Sequence, residues 1–253
     1  MVVSVTLHKA EKYAVDMRHL NDDDRVFMMC NFGCARKVYN LYVDFLYQRL
    51  EAIGYTGSAE LPTIKIPEVS EFKARFPYLR EADSLGLANA KIAFETAVKR
   101  YNKEFDHKTY TRRAIRRANS GTEPLSFRGL KGMPKFHSKA HGDFSYTTNC
   151  QHAAPGNSLK KDTVRLEGNI LYIPKRKNGI RLRVHRMLPD TAVIGNVTLS
   201  MDTIGNMYAS IEYSYTVPME TNLREAAVHM DTSILDTLNI LGLDYSQQHF
   251  YRQ

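Results

Sequence analysis

The chain has 253 residues, of which 43% are hydrophobic and 25% charged, a composition typical of a soluble globular protein. Its length allows one large domain or two smaller ones with a sizeable core. The formal net charge of +8 makes a polyanion, above all nucleic acid, the first partner to consider.

Several classes of protein are excluded by local patterns. No run approaches the ~18 apolar residues of a membrane span, and the N-terminus shows no signal peptide, so we expect a cytoplasmic protein without a membrane partner. Cys30, Cys34 and Cys150 are too few and too irregular for a disulfide scaffold, and no CxxC pair indicates a zinc ribbon. Cys30 and Cys34 favour core packing over a shared ligand.

The first half of the chain is predicted to be helical after an opening strand. The β-branched run 2–7 indicates the strand, and residues 8–20 are ambiguous. Asn21 and the acidic residues 22–24 predict the start of a helix that runs to about residue 51. Its predicted buried face recurs every three or four residues and consists of Phe27, Cys30, Cys34, Val38, Leu41 and Phe45.

Two more helices follow a proline-containing loop at 55–69. A short one is predicted at 70–76, where Pro77 stops it, and Asp83 caps a second long helix that ends near Phe105. The apolar residues of the long helix recur at helical period and favour a core role: Leu87, Phe94, Val98, Tyr101 and Phe105.

A dense basic segment lies between Lys99 and Lys139. It carries twelve lysines and arginines against three acids, which gives a net charge of +9 by subtraction. The pairs at 112–113 and 116–117 are four residues apart, so a helix would place them on one cationic face. This density favours phosphate contact over a merely solvated face. The predicted contacts are Lys108, Arg112, Arg113, Arg116, Arg117, Arg128, Lys131, Lys135 and Lys139.

The chain after Pro134 has a β pattern, beginning with the alternation at 135–139. His137 and His141 would lie too far apart in a strand to share a metal. Two short strands are predicted around Gly168–Asn169, and Asn178–Gly179 predicts a tight hairpin turn, because both residues tolerate positive φ. The run 175–186 has six cations and no acid, which predicts phosphate contacts by Lys175, Arg176, Lys177, Arg181, Arg183 and Arg186.

Two further strands, 192–201 and 207–217, are joined by a turn, and the second alternates polar and apolar residues. The N-terminal strand is too short to stand alone and is expected to pair with the later strands. We therefore predict an α+β fold. An antiparallel, barrel-like β domain is formed by 1–20 and 121–218, and a helical insertion by 21–120.

The last stretch is predicted to be separate from this domain. Residues 219–236 are acidic-leaning and irregular, which indicates a linker. Ile240–Leu243 predicts a buried strand that delivers Asp244 at its end. Phosphodiester cleavage by two metal ions needs several carboxylates, and the nearest others, Asp231 and Asp236, lie in the linker.

Six segments in this order resemble the TnpB (OrfB-type) family of transposon-encoded RNA-guided nucleases, which is related to type V CRISPR effectors. They are FGCARKVYN at 32–40, FPYLREADS at 76–84, GMPKFHSK at 132–139, LYIPK at 171–175, HRMLP at 185–189 and LGLDYS at 241–246. The resemblance covers nearly the whole chain but about the first half of the family's layout.

The resemblance implies a function for each region. The β domain would be a wedge domain and the helical insertion a recognition domain, which together hold a guide RNA and the guide–target DNA duplex. Residues 237–253 would open a RuvC-like, RNase H-fold nuclease with Asp244 at its first catalytic, metal-binding position. The family's later catalytic acids and its CxxC…CxxC zinc element have no counterpart before Gln253.

We therefore expect a chain that binds guide RNA and target DNA and does not cleave alone. No cofactor is expected in this chain, and Mg²⁺ is expected only for a completed nuclease domain. Two alternatives remain open: a standalone DNA-binding regulator, and a subunit of a split nuclease that a second polypeptide completes.

Overall fold

A computed structural model describes residues 4–57, 60–105, 107–122, 126–141, 144–152 and 162–218. The predicted linker 219–236, the strand Ile240–Leu243 and Asp244 lie outside these residues. The helices of the described part are α1 Asp22–Ala52, α2 Val69–Arg75, α3 Ser84–Glu104 and α4 His107–Asn119. Its strands are β1 Ser4–Val15, β2 Ser145–Asn149, β3 Arg165–Glu167, β4 Ile170–Ile173, β5 Arg176–Arg183, β6 Val193–Met201 and β7 Met207–Pro218.

The described strands form one antiparallel sheet in the order β2-β6-β7-β1-β5-β4-β3. Strand β1 pairs with β7 along its length, from Ser4↔Pro218 to Ala14↔Tyr208, and its last two residues pair with β5. The predicted pairing of the N-terminal strand with the later strands is confirmed, as is the α+β class. The strand also includes residues 8–15, whose sequence was ambiguous.

The sheet is open, so the barrel-like closure predicted from the sequence is wrong for the described residues. The strands β2 and β3 stand at its two edges and have five and three residues, too few backbone groups for a continuous closing ladder. The two edges nevertheless meet at one corner. Just beyond the ends of these strands, Gln151 N–H donates to Thr163 Oγ1 at 2.7 Å and Thr163 N–H to the Gln151 carbonyl at 3.1 Å.

Helix α1 begins as the sequence predicts, because the Asn21 side chain accepts a hydrogen bond from the Asp24 amide at 2.7 Å. Its first half packs Met28, Phe32 and Ala35 into the core of the sheet. Its second half, which includes Val38 and Leu46, packs in a second core with α2 and α3. Cys30 is exposed, so its predicted place on the buried face is wrong: Met28 and Phe32 set that face instead.

Two polar contacts fix α1 to its neighbours. The Asp24 carboxylate, which is buried, forms an ion pair with Arg176 of β5. The Asn31 side chain accepts from the Asp83 amide at 2.8 Å, where Asp83 caps α3 through the Leu85 amide. Burial raises the pKa of Asp83. These contacts fix the position of α1 relative to β5 and to the start of α3.

The hairpin turn of the basic segment is not at Asn178–Gly179, as the sequence predicts. The chain turns between β4 and β5 at Pro174–Lys175, where Lys175 has φ of 67°. Gly179 also has positive φ, 68°, but it lies inside β5 at a shift of register opposite β4. A Cβ at this position would run into the side chain of Ile170, so the dipeptide serves a bulge rather than the turn.

Residues 135–138 are irregular rather than a strand, and the backbone of His137 bonds to a side chain of helix α1. Asn40 donates through Nδ2 to the His137 carbonyl at 2.9 Å and accepts from the His137 amide at 2.8 Å. The His137 ring stacks on Tyr39 with centroids 4.0 Å apart. His137 is therefore occupied in packing against the helix.

We expect R176M to lower the free energy of unfolding by about 2–4 kcal/mol, because it leaves the buried Asp24 carboxylate without its partner. The matched control R181M, at an exposed position of the same strand, should change it by less than about 0.5 kcal/mol. Urea denaturation measures both. The double variant D24N/R176M should recover part of the loss, and equal losses in R176M and R181M would contradict the role of the pair.

Candidate nucleic-acid interface

Helix α4 carries the predicted cationic face. The sequence of the helix contains no acid, and its cations Lys108, Arg112, Arg113 and Arg116 are exposed, with Arg117 half-buried. The spacing of four residues therefore brings the arginine pairs onto neighbouring turns of one helix, as predicted. The structure places five of the predicted contact residues in a single surface element.

Within the described part of the chain, three of these cations have no carboxylate partner. Among the described residues, no carboxylate lies within ion-pair distance of Arg112, Arg113 or Arg116. Like charges one helical turn apart repel each other by a few tenths of a kcal/mol per pair, roughly the size of a surface ion pair. A polyanion that approaches α4 would relieve this repulsion as well as gain phosphate contacts.

A cavity of about 300 Å³ lies beside α4, between the end of α3 and the turn at 129–131. Arg113 and Lys131 line it together with the rings of Tyr101, Phe105 and Tyr110, and Glu104 at the end of α3 lines it too. Cations beside aromatic rings suit a nucleotide, because phosphate meets the charge and a base can stack on a ring. Sequence reasoning assigned Tyr101 and Phe105 to the core alone and missed this lining.

The anchor of α4 is also aromatic. The Tyr110 hydroxyl donates to the Thr56 carbonyl at 3.0 Å, and its ring lies 6.3 Å from that of Phe105. These contacts attach the first half of the helix to the helical core. The first arginine pair, at 112–113, follows Tyr110 closely, and the second, at 116–117, lies one turn farther along the helix.

The cations of the predicted basic hairpin have mostly internal partners. Arg176 pairs with Asp24, Arg183 with Asp16 at 3.5 Å and Arg186 with Glu11 at 3.5 Å. Lys175 donates to the Arg80 carbonyl at 2.5 Å. Lys177 and Arg181 are exposed and have no carboxylate partner among the described residues. The ion pairs of Arg176, Arg183 and Arg186 attach the hairpin to α1 and β1.

A second cavity, of about 380 Å³, lies on the hairpin and is lined by Arg165, Lys175, Arg176 and Lys177. Asp162 also lines it, which offsets part of this positive charge. The guanidinium of Arg165 lies 3.9 Å from the centre of the Tyr172 ring and pairs with Glu167 at 2.6 Å. Its charge is thus also shared with a carboxylate.

The remaining predicted contacts lie around the turn that follows α4. Arg128 pairs with Glu51 and lies 5.1 Å from the Tyr47 ring, so it joins this turn to α1. Lys131, Lys135 and Lys139 are exposed. Of these three, Lys131 lines the cavity beside α4.

Asp16, at the end of β1, collects three basic partners. Arg18 Nε lies 3.3 Å and His19 Nδ1 2.8 Å from its carboxylate, in addition to Arg183. Burial alone would raise the pKa of Asp16, but the hydrogen bonds from Arg18 and His19 outweigh it and hold the pKa well below its usual range. The carboxylate is therefore a fixed anchor for Arg183 at neutral pH.

We expect D16N to be destabilising at neutral pH, with a difference from the wild type that shrinks in acid. A depressed pKa contributes stability that is fully present above the unfolded pKa, about 3.9, and is lost as the pH falls through the folded pKa. Urea denaturation at about pH 7 and about pH 3 measures the difference. An equal difference at both values would mean that charge at Asp16 is not what stabilises this corner.

Comparison with known proteins adds no support for a function, so the functional assignment rests on the residues described above. No family model matches the sequence, and no curated protein matches it either. In the part of the chain that the structure describes, no helix combines the length and the apolar character that crossing a bilayer requires. Asp244, the predicted catalytic acid, lies outside that part.

Proposed function

We propose that this chain binds nucleic acid and that α4 makes the principal phosphate contacts. The observation that carries the proposal is the contrast between two groups of cations. Arg112, Arg113 and Arg116 lack carboxylate partners among the described residues, whereas Arg176, Arg183 and Arg186 have them. A cation without an internal partner contributes fully to phosphate affinity, because no existing ion pair must be broken.

The nucleic acids proposed are a guide RNA and the target DNA that pairs with it, held by a TnpB-like protein. The six ordered segments that resemble this family support the proposal, and so does the position of all four described helices between β1 and β2 in the chain. In this proposal the sheet corresponds to the wedge and the helices to the recognition domain. Asp244 would be the first acid of a RuvC-like nuclease, which would bind Mg²⁺ when completed.

Two kinds of side chain would contribute to binding, arginines and aromatic rings. The α4 arginines provide charge that does not depend on sequence, and the cavity shared by Arg113 and Lys131 adds rings on which a base can stack. Such an interface recognises shape and backbone rather than base edges. It suits a structured RNA or an A-form guide–target duplex.

We expect the triple variant R112Q/R113Q/R116Q to bind a structured RNA at least about tenfold more weakly at physiological salt. The slope of log K against log salt should become shallower by about 2–3, because three phosphate contacts at about 0.7–0.9 each are lost. Fluorescence anisotropy across a series of KCl concentrations measures both quantities.

The matched control is R49Q/K65Q/R75Q, which removes the same charge from exposed positions outside α4. It should leave affinity and slope close to those of the wild type. An equal loss in both triple variants would overturn the assignment to α4. Tighter binding to duplex DNA than to structured RNA would instead favour the standalone DNA-binding regulator.

A further inference from the structure

Three ligand-type side chains meet at the corner where the two edges of the sheet approach each other. Cys150 directly follows β2, His152 lies two residues later, and Asp162 precedes β3. Their Sγ, ring nitrogen and carboxylate oxygen atoms all lie within 4.8 Å of one another. None of these residues belongs to the proposed phosphate contacts.

One of the separations matches that around a tetrahedral metal ion, and a second lies a few tenths of an ångström from it. Cys150 Sγ lies 3.6 Å from His152 Nδ1. A cation held at about 2.3 Å from sulfur and about 2.05 Å from nitrogen places these ligands about 3.6 Å apart. His152 Nδ1 lies 2.9 Å from Asp162 Oδ2, and a shared cation would require about 3.3 Å, a movement of a few tenths of an ångström.

The backbone around the cluster is already fixed. The Cys150 amide donates to the Gly195 carbonyl at 2.7 Å, which holds it to β6. Thr163 Oγ1 accepts from the Gln151 amide at 2.7 Å and donates to the Asn149 carbonyl at 3.3 Å. These bonds join the chain after β2 to the chain before β3, so the ligands need little reorganisation to meet a cation.

A nucleophilic triad is a poorer interpretation of the same residues. In such a triad one ring nitrogen faces the thiol and the other faces the carboxylate. Here the same atom, His152 Nδ1, faces both Cys150 and Asp162. Convergence of three ligand atoms is the arrangement that a metal ion requires.

We propose that Cys150, His152 and Asp162 bind a zinc-class divalent cation that clips the two edge strands of the sheet together. Thiolate and imidazole select zinc or cobalt over Mg²⁺ and Ca²⁺, which prefer oxygen ligands. Three protein ligands leave the fourth tetrahedral position to water. On binding, the Cys150 thiol loses its proton to solvent as the sulfur–metal bond forms, and the neutral His152 ring keeps its proton on Nε2.

The site would also act on the neighbouring basic cavity. Asp162 lines that cavity together with Arg165, Lys175, Arg176 and Lys177. Coordination uses the negative charge of Asp162 for the cation and leaves the cavity more positive. The clip and the phosphate-binding surface are thus adjacent but made of different residues.

Titration of the metal-free full chain with Co²⁺ tests the proposal. We expect one cation per chain, a thiolate-to-cobalt charge-transfer band in the near ultraviolet, and displacement of cobalt by Zn²⁺. C150S should abolish the band and weaken binding by at least about 100-fold, more than the loss of a residue that only supports a ligand. D162N should weaken binding and keep the band.

The matched control is C30S, which removes an exposed thiol on α1 and should leave the band and affinity unchanged. Zn²⁺ should also raise the melting temperature of the wild type and of C30S, but not that of C150S. If C150S does not fold, the wild-type titration and D162N still decide the matter. A wild-type chain without the band, or a band that persists in C150S, would overturn the proposal.

Discussion

The fold depends on helix α1, which contributes to both hydrophobic cores. Met28 and Phe32 pack against the sheet, while Val38 and Leu46, farther along the same helix, pack against α2 and α3. A helix of 31 residues is stiff over this length, so the orientation of the helical layer follows from how α1 lies on the sheet. The Asp24–Arg176 ion pair fixes that orientation at the first turn.

The position of α1 on the sheet also determines which cations of the chain have carboxylate partners. Near α1 and β1 the fold supplies carboxylates, and these hold Arg176, Arg183 and Arg186 in place. Helix α4 is attached through Tyr110, at its anchored end, and receives no such acids from the described residues. Among the described residues, Arg112, Arg113 and Arg116 therefore carry charge that no carboxylate within ion-pair distance offsets.

Features set by local chemistry could be predicted from the sequence. The cap at Asn21, the cap at Asp83 and the alternation along β7 each depend on residues within a few positions, and each is found as predicted. The shared cationic face of Arg112, Arg113, Arg116 and Arg117 follows from their spacing once the segment is helical, but the sequence does not predict a separate helix at His107–Asn119.

Features that depend on register or on distant partners could not be predicted. Whether Gly179 forms a turn or a bulge depends on its alignment with Ile170, and Arg176 finds Asp24 across 152 residues. The meeting of His152 with Asp162 requires the end of β2 and the start of β3 to lie close together, although these strands stand at opposite edges of the sheet. No local pattern carries that information.

Arginine footprinting tests the central claim most directly. The chain is modified with phenylglyoxal in the presence and absence of a structured RNA, and each arginine is quantified by mass spectrometry. The account predicts that RNA protects Arg112, Arg113 and Arg116 and leaves the reactivity of Arg183 and Arg186 nearly unchanged. Protection confined to Arg183 and Arg186, with α4 equally reactive in both states, would contradict it.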